Sequence, residues 1–423
     1  DSIIKNGLLC TKNKDDKGIS HYNIANKTIQ GRRSEMDVVC DGQNFGKVHD
    51  FVPFYFSTKN PLQLAIINQK KVDQPELIFF GVKTSLIESK KFIFTNSSAN
   101  SVIPPSFYND IKYLDQLDWD IINSYKWSFN EVQKQKRMAE VLVKDFKFEY
   151  IDHIVVFNEF IKNEVEKIFE DNNISNKPRI EFEPVENKRF YFTKFFFKGR
   201  ENEDLVTGPK RLKYTFDSLT RDTIEKRATI NSFKYKSIRS LLSALDENFS
   251  VLPETAGIFK LETVNDFHTN TVSEHTTDVL NNLKNNAQFK ALDEKSQEIL
   301  LISAFLHDIG KGPKSKWKYG KQEVYNDHPY DSLIYTQRVL IEDIEELTNE
   351  DVRLINLLVG YHDILGDLCR DHRNTIELRN IITSKNDLEL LYILSQADVL
   401  ALRQDWYDNL CCKFEEIKSK VLK

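Results

Sequence analysis

The sequence predicts a multidomain chain: an α+β N-terminal domain over 1–185, an aromatic and basic connecting segment over 186–252, and an all-α C-terminal domain over 253–423. Three observations carry this reading. A chain of 423 residues is longer than one ordinary hydrophobic core supports. Up to about Pro184, short runs of aromatic and β-branched residues alternate with segments of helical spacing, whereas from Pro253 onward nearly every run has helical spacing. Between these halves aromatic and basic residues alternate in KRFYFTKFFFKGR, and Lys210, Arg211, Lys213, Arg221, Arg227, Lys234, Lys236 and Arg239 follow.

In the first half, FVPFYF (51–56), PELIFFGVK, KFIFTN, AEVLV and YIDHIVVFN read as strands. Pro53 cannot donate to a ladder, so its strand is expected at a sheet edge or a bulge. NPLQLAIIN, the segment from Tyr108 to Tyr125, and NEFIKNEVEKIFEDN have helical spacing. The chain starts at Asp1 with DSIIKNGLLC, which reads as the middle of a helix, so residues before it are expected. The connecting segment admits two readings: a groove that stacks and neutralises a single nucleic-acid strand, or a strand with a core face and snorkelling lysines. In the last part, turn chemistry is expected at Gly312 to Gly320 and at Gly366.

A formal net charge of −5 gives no global attraction to nucleic acid, so any such binding needs a local patch. Hydrophobic content is 40% with no apolar run of membrane length and no secretory pattern at the start, which predicts a soluble chain and no membrane partner. The 5 cysteines include vicinal Cys411 and Cys412 and make no disulfide framework, which favours a reducing cytoplasm.

The C-terminal stretch QEILLISAFLHDIGKG (297–312) runs an apolar helix into His307 and Asp308. A buried helix that closes on an imidazole beside a carboxylate needs a partner for both, while Gly310 and Lys311 look like an ordinary helix stop. His275, His328, His362 and Asp398 stand elsewhere in this half, Asp398 within a second apolar run. His275 is preferred to His268 because His275 and Val279 share one helix face. His21, His153, His268 and His372 read as structural or surface histidines. Nitrogen and carboxylate ligands without cysteine suit Mn, Fe, Zn or Mg, and an Asp beside a His can bridge two ions. The order H…HD…H…H…D on helices resembles the HD phosphohydrolase superfamily. TVSEHTTDVL, LHDIGKG, DHP and LLYILSQADVLA with Trp406 are most similar to the HD domain of the bifunctional uridylyltransferase/uridylyl-removing enzyme. The resemblance implies His275, His307, Asp308, His328, His362 and Asp398 as metal ligands in a phosphohydrolase. The opposing reading is an HD fold that kept its shape and lost its metal.

In the first half, IQGRR precedes a strand that leads through a polar loop into a helix starting at Asn60-Pro61. Arginine can hold a pyrophosphate bidentately, and an exposed helix start offers the same anion backbone N–H groups. Glu140 lies in an apolar strand, where a carboxylate is either a costly burial or a site. The bland readings are a solvated Arg32–Arg33 pair and a Glu140 facing water from a one-sided strand. IQGRR, HDFVPFYFSTKNPL, the segment around Trp119, RMAEVLV and the IDHIVVFN strand together resemble DarT, the toxin family that ADP-ribosylates DNA bases with NAD. The resemblance implies Glu140 and Arg33 as catalytic residues, with Arg33 also contacting NAD. Tyr55 and Phe56, in a motif framed by His49 and Phe54, and Leu62, where many relatives carry Met, are the other cofactor-binding candidates. The family's NAD-gripping His and Asn precede the segment matched by DSIIKNGLLC. NAD is then a substrate, and single-stranded DNA or other nucleic acid is the partner, with an antitoxin or macrodomain protein as a further one.

Three functional classes follow. The first is a two-headed enzyme, an ADP-ribosyltransferase joined to a metal-dependent HD phosphohydrolase. The second keeps the hydrolase and makes the first half an inactive nucleotide sensor, and the third makes the HD half a restraint on a toxin. Arg33, Glu140 and the filled ligand set favour the first.

Overall fold

The computed structural model describes the chain except residues 1, 20, 22–23, 86–91, 101–103, 125, 127–128, 145, 183–188, 193–204, 265–269 and 423. His268 and most of the aromatic and basic run, 193–200, lie outside the described residues. Two compact units are present, one of Asp1–Asn68 with Val72–Leu205 and one of Gln69–Lys71 with Val206–Lys423.

The first unit carries β1 (Asp37–Cys40), β2 (Gln43–Lys47), β3 (Val52–Tyr55), β4 (Phe79–Val82), β5 (Phe92–Thr95), β6 (Phe107–Tyr108), β7 (Glu140–Val143), β8 (Ile151–Val156) and β9 (Arg179–Phe182). β1 and β2 pair as a hairpin, β3-β7-β5-β6 form an antiparallel sheet, and β4-β8-β9 form a second sheet in which only β8 and β9 run parallel. β3, with Pro53, is an edge strand of the larger sheet, where a missing N–H costs no ladder bond. Side chains alternate across β7. Val141 and Val143 pack with Phe92 and Phe94 on one face, while Leu142 packs with Val38, Cys40, Phe51 and Ile93 on the other. By the same alternation Glu140 points to the Leu142 face.

Tyr108 to Tyr125 does not form the expected helix. It holds a 3-10 stretch, Ile111–Gln116, and a four-residue helix, Trp119–Ile122. Asp110 and Asp118 each cap a short turn through the side chain, and this local capping competes with one continuous helix. The described part of the connecting segment divides differently from the expected domain. Tyr191 and Phe192 are buried in the first unit, held by Gln74, whose amide donates to Phe192 O (2.7 Å) and accepts from Phe192 N (2.6 Å). Beyond Val206, the helices Pro209–Arg227 and Ile238–Glu247 add Leu212, Phe216, Ile238, Leu241 and Leu245 to the second core. Of their basic residues, Arg239 pairs with Glu298 (2.8 Å), and Arg227 donates to the carbonyls of Leu340, Ile344 (2.7 Å) and Glu345 (2.8 Å).

Among the described residues the second unit is mainly helical, with a two-residue parallel pair, Glu262–Thr263 with Lys321–Gln322, and a single parallel bridge between Tyr235 and Ile344. Its central helices are Val272–Asn285, Glu294–Leu306, His328–Arg338, Asn349–Tyr361 and Lys385–Leu402. Thr271, Asp293, Thr348 and Ser384 cap four of them through side-chain oxygens, which fixes where each begins. Gly366 lies inside a short helix, Ile364–Cys369, and not at the expected turn. None of the helices in the described residues is long and apolar enough to cross a membrane. All 5 cysteines are free.

Candidate functional sites

In the first unit, Arg33 stands on the helix Lys27–Glu35 and Glu140 opens β7. Their side chains meet across 107 positions of sequence: Arg33 Nη1 donates to Glu140 Oε1 (2.8 Å) and Nη2 to Oε2 (2.9 Å). Glu140 is fully buried and Arg33 nearly so, so the solvated readings of both residues fail. The Ala99 amide adds a third bond to Oε1 (2.9 Å), and the Glu140 amide donates to Thr95 Oγ1 (2.9 Å). Both carboxylate oxygens thus have charged or backbone N–H partners in place of water. Burial alone would lower Arg33, but Glu140 outweighs it and the guanidinium is held above its ordinary value. Arg32, by contrast, is exposed and donates to Asn100 Oδ1 (3.1 Å).

Tyr55 is the cross-strand partner of Glu140 in the β3/β7 register. Burial first and the Glu140 charge second push its phenol well up, so the hydroxyl keeps its proton. Phe56 packs edge-on against Trp119, with centroids 5.4 Å apart. Tyr55, Phe56, Phe54, Val141 and Phe80 line a cavity of about 1260 Å³ in this unit; Arg33, Glu140 and Leu62 do not. A buried, hydrogen-bonded ion pair has no packing purpose that apolar residues would not serve as well. The expected open helix start is closed: Asn60 is buried and its Oδ1 takes the Gln63 amide (3.0 Å), while Pro61 has no N–H to give. Leu62 lies on that helix, Pro61–Asn68, and is not among the residues that line the cavity. Thr95 and Ala99 escaped the sequence reading; the polar run TNSSAN directly after a strand was their only signal.

In the second unit, the six residues expected around a metal come together from five helices. Asp308 lies at their centre. Its Oδ2 is 3.7 Å from His275 Nε2 and 3.4 Å from His307 Nε2, and its Oδ1 is 3.3 Å from His328 Nε2 and 4.0 Å from His362 Nε2. Asp398 Oδ1 is 3.0 Å from His275 Nε2 and 3.9 Å from His307 Nε2. His275, His307, Asp308, His362 and Asp398 are buried. Two residues absent from the expected set join them. Lys311 donates to Asp308 Oδ2 (2.7 Å), and Asp363 places Oδ1 3.4 Å from His362 Nε2 and Oδ2 3.6 Å from His328 Nε2. The second His-Asp pair in GYHDIL was the missed signal for Asp363. His372 stands apart, 3.9 Å from Asp367.

These donors fit a cation. Three imidazoles point Nδ1 at a carbonyl three residues earlier: His307 to Ala304 O (2.7 Å), His328 to Tyr325 O (2.8 Å) and His362 to Val359 O (2.8 Å). A carbonyl only accepts, so each Nδ1 carries a proton and Nε2 is the ring nitrogen turned inward. His328 Nε2 and His362 Nε2 then face each other at 3.0 Å, two acceptors that repel unless a positive centre lies between them. His307 Nε2 and Asp308 Oδ1 are buried without a hydrogen-bond partner. Burial pushes His328 down to about 3, which leaves it neutral at physiological pH. At His307 burial opposes protonation, yet the Asp308 carboxylate prevails and lifts it to about 9, the mark of a position that attracts positive charge.

Gly310 does more than stop a helix. A Cβ there would lie 2.2 Å from His328 O and 2.4 Å from Ser332 N, and its amide donates to Ser332 Oγ (2.8 Å). The glycine lets the His307-Asp308 turn press against the start of the His328 helix.

A family model described as "ssDNA thymidine ADP-ribosyltransferase, DarT" matches residues 1–192. A DNA ADP-ribosyl transferase of Thermus aquaticus is 31% identical over 181 residues, 41% of this chain and 77% of that protein. The structure of Thermus sp. 2.9 DarT in complex with ADP-ribosylated ssDNA aligns at 26% identity and TM-score 0.39, over 43% of this chain and 88% of that one. A bifunctional uridylyltransferase/uridylyl-removing enzyme of Cereibacter sphaeroides is 25% identical over 175 residues, 37% of this chain and 17% of that protein. Through the family match and the Thermus aquaticus relative, the chain belongs to the DarT family.

Proposed function

We propose that the chain is a two-headed enzyme whose first unit transfers ADP-ribose from NAD to a base of single-stranded DNA. The buried Arg33–Glu140 pair is the observation that carries this reading. In the proposed reaction the ribose–nicotinamide bond breaks, nicotinamide leaves with the electron pair, and an oxocarbenium-like centre forms at the ribose. A base nitrogen forms the new bond and gives up its proton. Glu140, positioned by hydrogen bonds from Arg33 and Ala99, offers its carboxylate to that centre and can accept the proton. Arg33 spends two N–H groups on Glu140, and the rest of its roughly five donors remain for the diphosphate. The family description makes thymidine the first base to test.

The second head, in the same proposal, is a metal-dependent phosphohydrolase of the HD type. His275, His307, Asp308, His328, His362 and Asp398 would hold one or two ions of Mn, Fe, Zn or Mg. A bound ion there supplies an activated water and a Lewis acid for a phosphate ester. Asp308, with one oxygen toward each histidine group, supports a bridging role. Lys311, beside it, offers a fixed positive charge to an anionic substrate. An antitoxin or macrodomain partner belongs to the proposal and is tested by co-purification.

The deciding experiment is mass spectrometry of single-stranded oligonucleotides of all four bases, incubated with NAD and the protein. Wild type should add one ADP-ribose mass to a single base type, and Glu140→Gln should add none. Equal modification by both proteins would refute the assignment of Glu140.

A further inference from the structure

Resting on the metal reading above, we propose that Asp363 is a ligand, and that it makes the second ion position a match for the first. Near Asp308 Oδ2 stand two imidazoles, His275 and His307, and Asp398 brings a second carboxylate to the same two rings (3.0 and 3.9 Å), while also grouping with His362 and Asp363. Around Asp308 Oδ1 stand His328 and His362, which alone leave that position one carboxylate short. Asp363 fills the deficit, reaching His362 Nε2 with one oxygen (3.4 Å) and His328 Nε2 with the other (3.6 Å).

Ligands bound about 2.1 Å from one ion at tetrahedral to octahedral angles lie roughly 3.0 to 3.4 Å apart. The second group spans 3.0 Å between its imidazoles, 3.3 Å from His328 to Asp308 Oδ1, and 3.4 Å from His362 to Asp363. The other two pairs are wider, 3.6 Å from His328 to Asp363 and 4.0 Å from His362 to Asp308 Oδ1, so a shared cation would draw these carboxylates in by about half an ångström. The orphaned Asp308 Oδ1, buried and without a hydrogen bond, points into the same group. Three carboxylates against two divalent ions leave net positive charge, the sign that a phosphate ester requires. Side-chain exposure separates the two positions: 29% at Asp363 against 9% at Asp398, so the second ion faces solvent and exchanges more readily. Two nitrogens and two carboxylate oxygens with room for water suit Mn or Fe better than a closed, thiolate-rich zinc site.

The test uses the full chain, stripped with chelator and titrated with Mn²⁺ alone, read by elemental analysis and electron paramagnetic resonance. Wild type should bind about two ions per chain with a spectrum broadened by coupling through the shared carboxylate. Asp363→Asn should weaken the second ion by about tenfold or more, leaving about one ion with the resolved lines of isolated Mn²⁺. Asp363→Glu, which keeps a carboxylate, should restore part of the coupled signal. Should Asp363→Asn fail to fold by circular dichroism, Asp363→Ser reads the same loss. Two coupled ions in the Asn or Ser variant overturn the role of Asp363 and leave the metal reading intact. A wild-type chain that binds no Mn²⁺, or only one ion, overturns the paired-site proposal, and binding none also removes the metal reading.

Discussion

At the scale of single residues, the first unit turns on a charge that the fold cannot leave unpaired. Glu140 is fully buried, so Glu140→Ala strands the Arg33 guanidinium and should cost about 3 to 5 kcal/mol as well as all transfer activity. In a domain of this size that lowers Tm by on the order of 10 °C. Replacing both residues by leucine removes the stranded charge, so Arg33→Leu with Glu140→Leu should recover most of the loss while remaining inactive. Thermal melts of the single and double variants check this, and a double variant less stable than Glu140→Ala would contradict it. The sequence marked Glu140 as anomalous because a carboxylate in AEVLV has no cheap explanation. It could not show the partner, since Arg33 looks the same as exposed Arg32 beside it. Only the third dimension, with Ala99 and Thr95 closing the other sides, separates the two arginines.

At the scale of elements, patterns with a single physical cause were legible. Pro53 announced a sheet edge or a bulge because it lacks a donor, and the edge is what formed; the apolar run before His307 announced a buried helix because it has no polar face. Segments in which local capping competes with helix growth were not, as Ile111–Gln116 and Trp119–Ile122 show. Close approach was invisible as well, and Gly310 read as a stop although its missing side chain admits backbone from the neighbouring helix. Gly310→Ala should therefore push the His307-Asp308 turn away from His328. Overpacking against backbone costs about 1 to 3 kcal/mol. Because Asp308 Oδ1 would withdraw from His328 and His362 before Oδ2 left its own group, the second ion should be lost first. Mn²⁺ titration of the variant measures this, and two ions bound with wild-type affinity would show that the contact is unimportant.

At the scale of the whole molecule, the sequence predicted two kinds of structure but placed their division differently. The expected connecting segment owes its character to aromatic and basic residues, yet Leu212, Phe216 and Leu241 commit everything after Val206 to the second core. Each unit has its own hydrophobic clusters: Leu212 to Val421 in the second, Cys10 to Phe169 in the first. Separate cores should melt separately, so calorimetry of the full chain should resolve two transitions. A chelator should shift one alone. Bound ions stabilise only the folded second unit, by about 4 kcal/mol at a thousandfold excess over Kd, so their removal should lower its transition by roughly 10 °C. Asp308→Ala should lose most of the metal and show no further response to chelator, because both ion positions share that carboxylate. His372→Ala should keep its metal and respond like wild type, since His372 lies outside the cluster. Transfer of ADP-ribose to single-stranded DNA, assayed at 25 °C, should be unaffected by the chelator, as neither Arg33 nor Glu140 has a metal-binding neighbour among the described residues. A well-folded chain with no metal, no chelator response and an unchanged Asp308→Ala melt would leave the histidine cluster without a chemical role and the first unit as the sole catalytic head.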